Sequence, residues 1–301
     1  MNDKKELVYH LVSLIPKGKV MTYGQIAKIL QIRSSRLIGQ ILHQNQNPTT
    51  IPCHRVVFQN GRLSQNYAFG GIKSQYQKLK NEGIKFSSQK IANLSLFIWK
   101  PNQLVYQYFN LLHYFGFPGP WPWFGEGKPA TKEEIIISSI LTQNTSWKNV
   151  EKAMGVLRKD KISNIYAIYH LGKHDLNRLA QLIKSSGFYQ LKAKRLFNLT
   201  NAIQSLGGIA RMEKLPAETL RKILLDVNGI GEETADCICL YAFNKPFFVI
   251  DAYTKKFVTQ YFKKQFKSYA EYQIFFQSQL PKNIDLYKNY HALIVRWGKN
   301  K

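Results

Sequence analysis

Hydrophobic positions recur at helical spacing along most of the chain. Leu7, Val8, Leu11, Val12 and Ile15 mark a first helix. Thr22 is placed to cap a second helix through Leu30, with Ile26, Ile29 and Leu30 as its apolar positions. A turn over 31–35 follows, and a third helix starts near Arg36 with Leu37, Ile38, Ile41 and Leu42 inward. Two short helices joined by a tight turn suggest helix-turn-helix or winged-helix geometry, although periodicity alone fits an ordinary three-helix core equally well. The mixed stretch 86–102 places a join near residue 96, so the expected domains are 1–95 and 103–301 with 96–102 as linker. Residues 117–124 form a loop rich in Pro, Gly and Trp. Helical patterns then run to the end, interrupted by one strand-like run over 246–250.

Composition narrows the class. The 301 residues are 45% hydrophobic and 13% aromatic, enough to build real cores and to exclude a disordered chain. No run of ~18 apolar residues is present, so no spanning helix is expected. The start lacks the layout of a secretory signal. Three cysteines are too few for a disulfide framework, an iron–sulfur cluster or a four-cysteine zinc site. A reducing compartment is expected, cytoplasm or nucleus, with the cytoplasm and nucleoid association expected if the source is bacterial. Lys and Arg number 43 against 18 Asp and Glu, a net charge of +25 spread over both halves. Spread basic charge on a folded, aromatic-rich chain favours a polyanion, and a merely soluble basic protein is the bland alternative. No basic amphipathic helix points to a membrane surface.

The first chemical signal is Pro52-Cys53-His54-Arg55-Val56-Val57. A lone cysteine beside a histidine is ordinarily structural, but this stretch resembles the active-site signature of O6-alkylguanine-DNA alkyltransferases. The resemblance covers roughly 5–85 and matches only the catalytic, DNA-binding domain of that family. It implies Cys53 as the alkyl acceptor and His54 as its base, acting through water. Tyr23 matches the family's helix-two tyrosine, Arg36 the intercalating arginine and Asn45 the hinge asparagine. Tyr67 and the Gly70-Gly71 pair match the loop that closes the pocket. Gly39 would let the recognition helix lie close to DNA, and Arg55 is grouped with the pocket and DNA contacts. The chemistry suits these types. Free cysteine is only a few per cent ionised at neutral pH, so a neighbouring base must help. Reaching the O6 atom requires flipping the base out of the duplex. One departure stands out. The family's relay glutamate is expected near Tyr76, and Glu82 is assigned to a different family position, so the thiol is expected to be less activated. The rival is an alkyltransferase-like sensor that binds without reacting; such sensors usually replace the cysteine, and Cys53 is present.

The second signal is 224–235, where Gly229-Ile230-Gly231 separates two helical runs. A G-x-G turn presents backbone N–H groups to a phosphate, although a plain glycine cap is the common alternative. About twenty residues on comes Phe247-Phe248-Val249-Ile250-Asp251. The pairing resembles the endonuclease III superfamily of helix-hairpin-helix DNA glycosylases, over roughly 103–301. Leu141-Thr142-Gln143-Asn144-Thr145 and the segments 186–189 and 192–195 match further family stretches. The resemblance implies Asp251 as the catalytic aspartate, Gly229 and Gly231 as the DNA-binding hairpin, and Gln143 or Asn144 as the wedge. Bifunctional members carry a Schiff-base lysine where this chain has Glu233, so a monofunctional glycosylase without lyase activity is expected. The pattern is similar to the bacterial 3-methyladenine DNA glycosylase branch of that superfamily. There Trp147, with Trp121 and Trp123, would wall a pocket for a cationic base, and Glu233 would add a complementary charge. Cation–π attraction adds roughly 0.5–2 kcal/mol. Each tryptophan suits a core position equally well, and Cys237 and Cys239 read as core residues.

Together these resemblances imply a mainly α chain: a winged-helix-like alkyltransferase domain followed by an all-α helix-hairpin-helix glycosylase domain. The expected activity is alkylation repair of double-stranded DNA by a monomer. No cofactor and no metal are expected beyond a monovalent cation at the hairpin carbonyls, a common feature of that motif. A glycosylase for oxidised or deaminated pyrimidines, and a non-enzymatic lesion-binding scaffold, are the alternatives.

Overall fold

The computed structural model describes residues 2–118, 121, 123 and 130–300. Within the loop expected over 117–124, residues 119, 120, 122 and 124 lie outside the described residues. The chain divides into two compact units: Met1–Gly116 with Gln279–Pro281, and Phe117–Ser278 with Lys282–Lys301. Packing therefore divides the chain after Gly116 and not at 96–102.

In the first unit, α1 (Asn2–Ser13) buries Val8, Leu11 and Val12 completely. A two-residue strand β1 (Met21–Thr22) leads into α2 (Tyr23–Ile29), where Thr22 and Gln25 form a reciprocal capping box. Two N–H donors at that terminus are thereby satisfied reciprocally. α3 (Ser35–His43) packs on α2 and turns Ile38, Ile41 and Leu42 inward. β2 (Val56–Val57) pairs in parallel with β1, Met21 opposite Val56. α4 (Gly71–Asn81) follows, then a hairpin of β3 (Phe86–Ser87) and β4 (Lys90–Ile91), then α5 (Leu94–Phe97). Val20, Val57, Leu63, Leu79, Ile84 and Ile91 form the core under this wing. α6 (Gln103–Phe115) belongs to the same unit, and its Tyr108 hydroxyl meets His10 Nε2 at 2.6 Å.

The regular elements among the described residues of the second unit are helical. α7 (Lys132–Leu141) starts at a Thr131–Glu134 capping box and is buried from Ile135 to Leu141. An apolar run exposed on no side reads as a central helix. α8 (Trp147–Lys159) and α11 (Tyr189–Ser205) pack on it, α9 (Ile165–His174) and α10 (Leu176–Leu182) pack on α11, and α12 (Ile209–Lys214) follows. α13 (Ala217–Leu225) and α14 (Glu232–Cys237) flank the glycine turn, and α14 continues as a π turn, Ile238–Ala242. α15 (Ala252–Phe262), α16 (Tyr269–Gln277) and α17 (Ile284–Lys299) close the unit. α17 buries Leu286, Leu293 and Ile294 completely, each worth about 1.5–3 kcal/mol.

The run 246–250 is not a strand, a correction to the pattern reading. Its backbone pairs with side chains instead of a neighbouring strand. Phe248 N donates to Gln277 Oε1 (2.8 Å), Phe248 O accepts from Gln273 Nε2 (2.9 Å), and Ile250 N donates to the Tyr269 hydroxyl (3.2 Å). Among the described residues no helix is long and apolar enough to cross a membrane.

Candidate active sites

The first site is built on one 3-10 turn, Cys53–Arg55, which leaves Cys53 5% and His54 7% exposed. Asn45 Nδ2 donates to Ile51 O (3.0 Å) and to Cys53 Sγ (3.3 Å), while its Oδ1 accepts from Asn47 N (2.9 Å). The asparagine thus ties the end of α3 to the thiol. His54 Nε2 lies 2.9 Å from Glu82 Oε1, the residue that caps α4. Glu82 also accepts from Arg55 Nε (3.0 Å), Arg55 Nη2 (2.8 Å) and Gly18 N (3.1 Å). Burial pushes the Glu82 pKa up, but hydrogen bonds from Arg55, His54 and Gly18 outweigh it and hold the carboxyl at about 2. An ionised acceptor at Nε2 requires the proton there, so Nδ1 is left as the acceptor. Burial keeps the His54 pKa below its ordinary value, which favours the neutral ring. Its Nδ1 is buried and bonds to no protein group.

Two expectations are corrected here. Tyr76 does not deprive the site of a carboxylate: it packs on Phe86 at 4.5 Å between ring centroids, and Glu82 partners His54. Arg55 does not face outward with the DNA contacts. It turns inward to Glu82 and donates through Nη1 to Ile15 O at 2.6 Å.

The thiol opens on a cavity of about 890 Å³ lined by Tyr23, Arg36, Gly39, Phe58 and Tyr67 among others. Tyr23 leans on Phe58 at 5.3 Å, and Arg36 stands exposed in the first turn of α3. A Cβ on Gly39 would sit 3.8 Å from Tyr23, so any larger side chain would fill the cavity wall. Tyr67 is 8% exposed, and burial with the nearby Cys53 raises its pKa, keeping the hydroxyl protonated. Sequence reading missed Gln75. Its fully buried amide accepts from Ser64 N (2.8 Å) and donates to His54 O (3.1 Å) and Val56 O (2.9 Å). That clamp fixes the backbone on both sides of the active turn.

In the second unit Asp251 caps α15, and its Oδ1 accepts from Thr254 N at 2.7 Å. His291 Nε2 lies 3.5 Å from Asp251 Oδ2, and its Nδ1 meets the Tyr241 hydroxyl at 2.6 Å. Burial raises the Asp251 pKa, but His291 and Thr254 outweigh it and the net shift is downward. Glu233 moves the other way, raised by burial and by the Asp251 charge. Paired titratable groups pushed apart in this manner mark a functional site. His291 was missed because it lies on α17, far from any motif.

Glu233 stands in a cleft of about 470 Å³ with Trp123, Gln143, Asn144, Arg195, Gly229 and Gly231 among its walls. Trp123 is 8% exposed, anchored by Nε1 to Ser138 Oγ (2.7 Å) and edge-on to Trp147 at 6.1 Å. Trp121 packs edge-on to His291 at 6.4 Å. Trp147 does not line the cleft; it lines a separate small cavity with Trp123. Gly229 has φ +97°, and a Cβ there would collide with Arg195 Cγ. Gln143 is held: Nε2 donates to Thr234 Oγ1 (3.0 Å) and Gly229 O (3.3 Å). Asn144 is exposed in a left-handed conformation, φ 50°. Phe188 shares both traits, 69% exposed at φ 45°. Cys237 and Cys239 are buried. Among the described residues no group of three or more His, Cys, Asp or Glu is placed to hold a metal ion.

A buried cysteine–histidine–glutamate constellation on a winged-helix unit and, in the other unit, an aspartate that follows a helix-hairpin-helix define a DNA repair protein of two parts. Residues 3–84 match the family described as 6-O-methylguanine DNA methyltransferase, DNA binding domain. Residues 137–281 match the HhH-GPD superfamily of base excision DNA repair proteins. A Methanocaldococcus jannaschii protein whose name places it among DNA repair glycosylases is 41% identical over 202 residues, covering 65% of this chain and 88% of the relative. Alkyltransferase-like protein 1 of Schizosaccharomyces pombe is 34% identical over 106 residues, 34% of this chain and 98% of the relative. The solved Helicobacter pylori 3-methyladenine DNA glycosylase, bound to 1,N6-ethenoadenine, superposes with a TM-score of 0.52 at 26% identity over 64% of this chain and 94% of that one. The chain belongs to the HhH-GPD superfamily through its C-terminal part and to the alkyltransferase-like DNA-binding family through its N-terminal part.

Proposed function

We propose that the first unit removes alkyl groups from O6-alkylguanine by suicide transfer to Cys53, and that the second excises N-alkylated purines, 3-methyladenine foremost, by hydrolysis at Asp251. The observation that carries the first half is the Cys53–His54–Glu82 arrangement. Glu82 keeps the proton on Nε2, so Nδ1 can take the thiol proton through a water. The thiolate then forms the S–C bond as the C–O6 bond breaks, and guanine takes back a proton. Tyr67 and Asn45 position the pocket, and Arg36 fills the vacated stack in the duplex. Similarity to an alkyltransferase-like protein favours a second reading for this unit, a sensor that binds without reacting. Retention of the thiol beside a base with an ionised partner favours reaction.

The second half rests on Asp251. An ionised carboxylate stabilises the positive charge that builds on the sugar and accepts a proton from the attacking water. Glu233 replaces the amine that would form an imine, so base release proceeds without strand cleavage. A cationic adduct in the cleft would face Glu233 and the Trp123 wall, which supports alkylated purines over pyrimidines. Asn144 is the freer of the two wedge candidates, since Gln143 is tied down. No cofactor enters either step.

The test is mass spectrometry of a methylated duplex after incubation. Free 3-methyladenine and an alkylated Cys53 peptide are the expected products. A protein that binds the lesion duplex yet gives neither product contradicts the reading.

A further inference from the structure

Lys192 is a lysine with 1% exposure in the first turn of a helix, and no carboxylate pairs with it in the hydrogen bonds of its ammonium. Its Nζ donates to Leu141 O at 2.8 Å and to Ser186 O at 2.7 Å. Burying an ammonium is costly unless its donors are satisfied, so a position that keeps one holds something in place. What it holds is specific. Leu141 O is the last carbonyl of α7, immediately before Thr142-Gln143-Asn144. Ser186 O immediately precedes Gly187-Phe188. Each of those short segments ends in an exposed side chain on a left-handed residue, Asn144 at φ 50° and Phe188 at φ 45°. Strain of that kind at non-glycine residues persists only where surrounding contacts over-determine it. One turn along α11, Arg195 Nη1 donates to Gln143 Oε1, and Gln143 Nε2 reaches Gly229 O of the hairpin.

We infer that Lys192 is a positioning residue that locks the Asn144 and Phe188 turns at a fixed spacing, so that both enter a duplex together when a base is turned out. The inference rests on the glycosylase reading for its biological use but not for its measurement. The ammonium draws both carbonyls to one point, and Arg195 extends the same frame to the phosphate-binding turn. An aliphatic side chain at 192 would leave two carbonyls buried without donors and release the turns from each other.

The experiment uses the full chain and a duplex carrying an abasic-site analogue next to 2-aminopurine, whose fluorescence rises when stacking is lost. The parent is expected to bind and raise the signal. Lys192→Met should bind within twofold but lose most of the rise, and Lys192→Arg should recover part of it. Lys192→Gln keeps a donor for one carbonyl and serves if the methionine variant does not fold. A double-mutant cycle with the exposed Phe188→Ala separates positioning from general stability. If Lys192 acts by placing Phe188, the second substitution adds less than twofold to the first. Excision should show the same signature, falling about tenfold from a fully paired duplex but less than twofold where the lesion lies opposite an abasic site and turns out cheaply. Unchanged fluorescence in the Lys192 variants, or multiplicative losses in the cycle, overturns the inference. Failure of the parent to release any base strikes the glycosylase reading instead, because the fluorescence readout needs no bond to be cut.

Discussion

The Cys53 turn and the Asp251 segment use the same two residue types in opposite order. At the first, a carboxylate serves a histidine: Glu82, held at about 2, keeps the His54 proton on Nε2 and frees Nδ1. At the second, a histidine serves a carboxylate: His291, itself braced by Tyr241, holds the charge on Asp251. The difference teaches that a histidine–carboxylate pair is not a reaction. The third group decides, a thiol that needs a base in one unit, and in the other a cleft where positive charge must be met.

The sharpest way to break that comparison is to remove each reacting group in turn. Cys53→Ala should abolish alkyl transfer to the protein while leaving base release unchanged. Asp251→Asn should lower base release by about 10²–10³-fold while leaving transfer unchanged. Single-turnover assays of both products in both variants check this, and loss of either product in the wrong variant would show the two sites to be coupled.

Next in size is Glu82→Gln. It replaces the charged acceptor at His54 Nε2 with a neutral amide and leaves the Arg55 guanidinium partly buried without its carboxylate. Transfer should slow by about 100-fold, and the first unit should lose about 3 kcal/mol of stability in urea titration. Tyr76→Phe should do neither.

The pH profiles should then diverge. Transfer needs His54 neutral, so its rate should fall as pH drops through a pKa below 6.5. Excision needs Asp251 ionised, with a pKa held below 3.8, so it should persist to more acid pH than transfer. The Glu82 carboxyl, at about 2 in the fold against 4.5 ordinarily, contributes stability in full above about 4.5 and loses it as pH falls towards 2. Acid unfolding of the first unit should therefore set in within that window, and Glu82→Gln should remove this part of the pH dependence.

The smallest effect expected is that of Tyr269→Phe. Its hydroxyl donates to the fully buried Asp236 at 2.8 Å and accepts from Ile250 N, the residue before Asp251. Losing it should cost excision a few-fold through kcat, with KM unchanged, as expected for displacement of a positioned carboxylate.

How far the sequence carried depended on whether chemistry was local. Cys53 with His54, and Gly229-Ile230-Gly231 with Asp251, were legible because each is fixed by one short turn or one cap. The helix start at Thr22 follows from capping chemistry and lies where capping requires. Glu82 was not legible as a partner. It caps a helix 29 residues beyond Cys53, and its pairing depends on how α4 packs on the active turn. His291, 40 residues beyond Asp251, is hidden for the same reason. Arg55 is grouped with the pocket and DNA contacts by the alkyltransferase resemblance; its inward turn is set by Glu82 and Ile15 O. The run 246–250 looked like a strand because its residues are apolar, yet the side chains of Gln273, Gln277 and Tyr269 take the place of a partner strand.

One measurement reaches the central claim directly. A single methylated duplex carrying both O6-methylguanine and 3-methyladenine is incubated with the intact chain. Mass spectrometry of the same sample then reads the Cys53 peptide and the free bases. The account predicts one methyl group on Cys53 and free 3-methyladenine, with the DNA backbone uncut. An unmodified Cys53 peptide together with an undiminished content of 3-methyladenine in the duplex would contradict it.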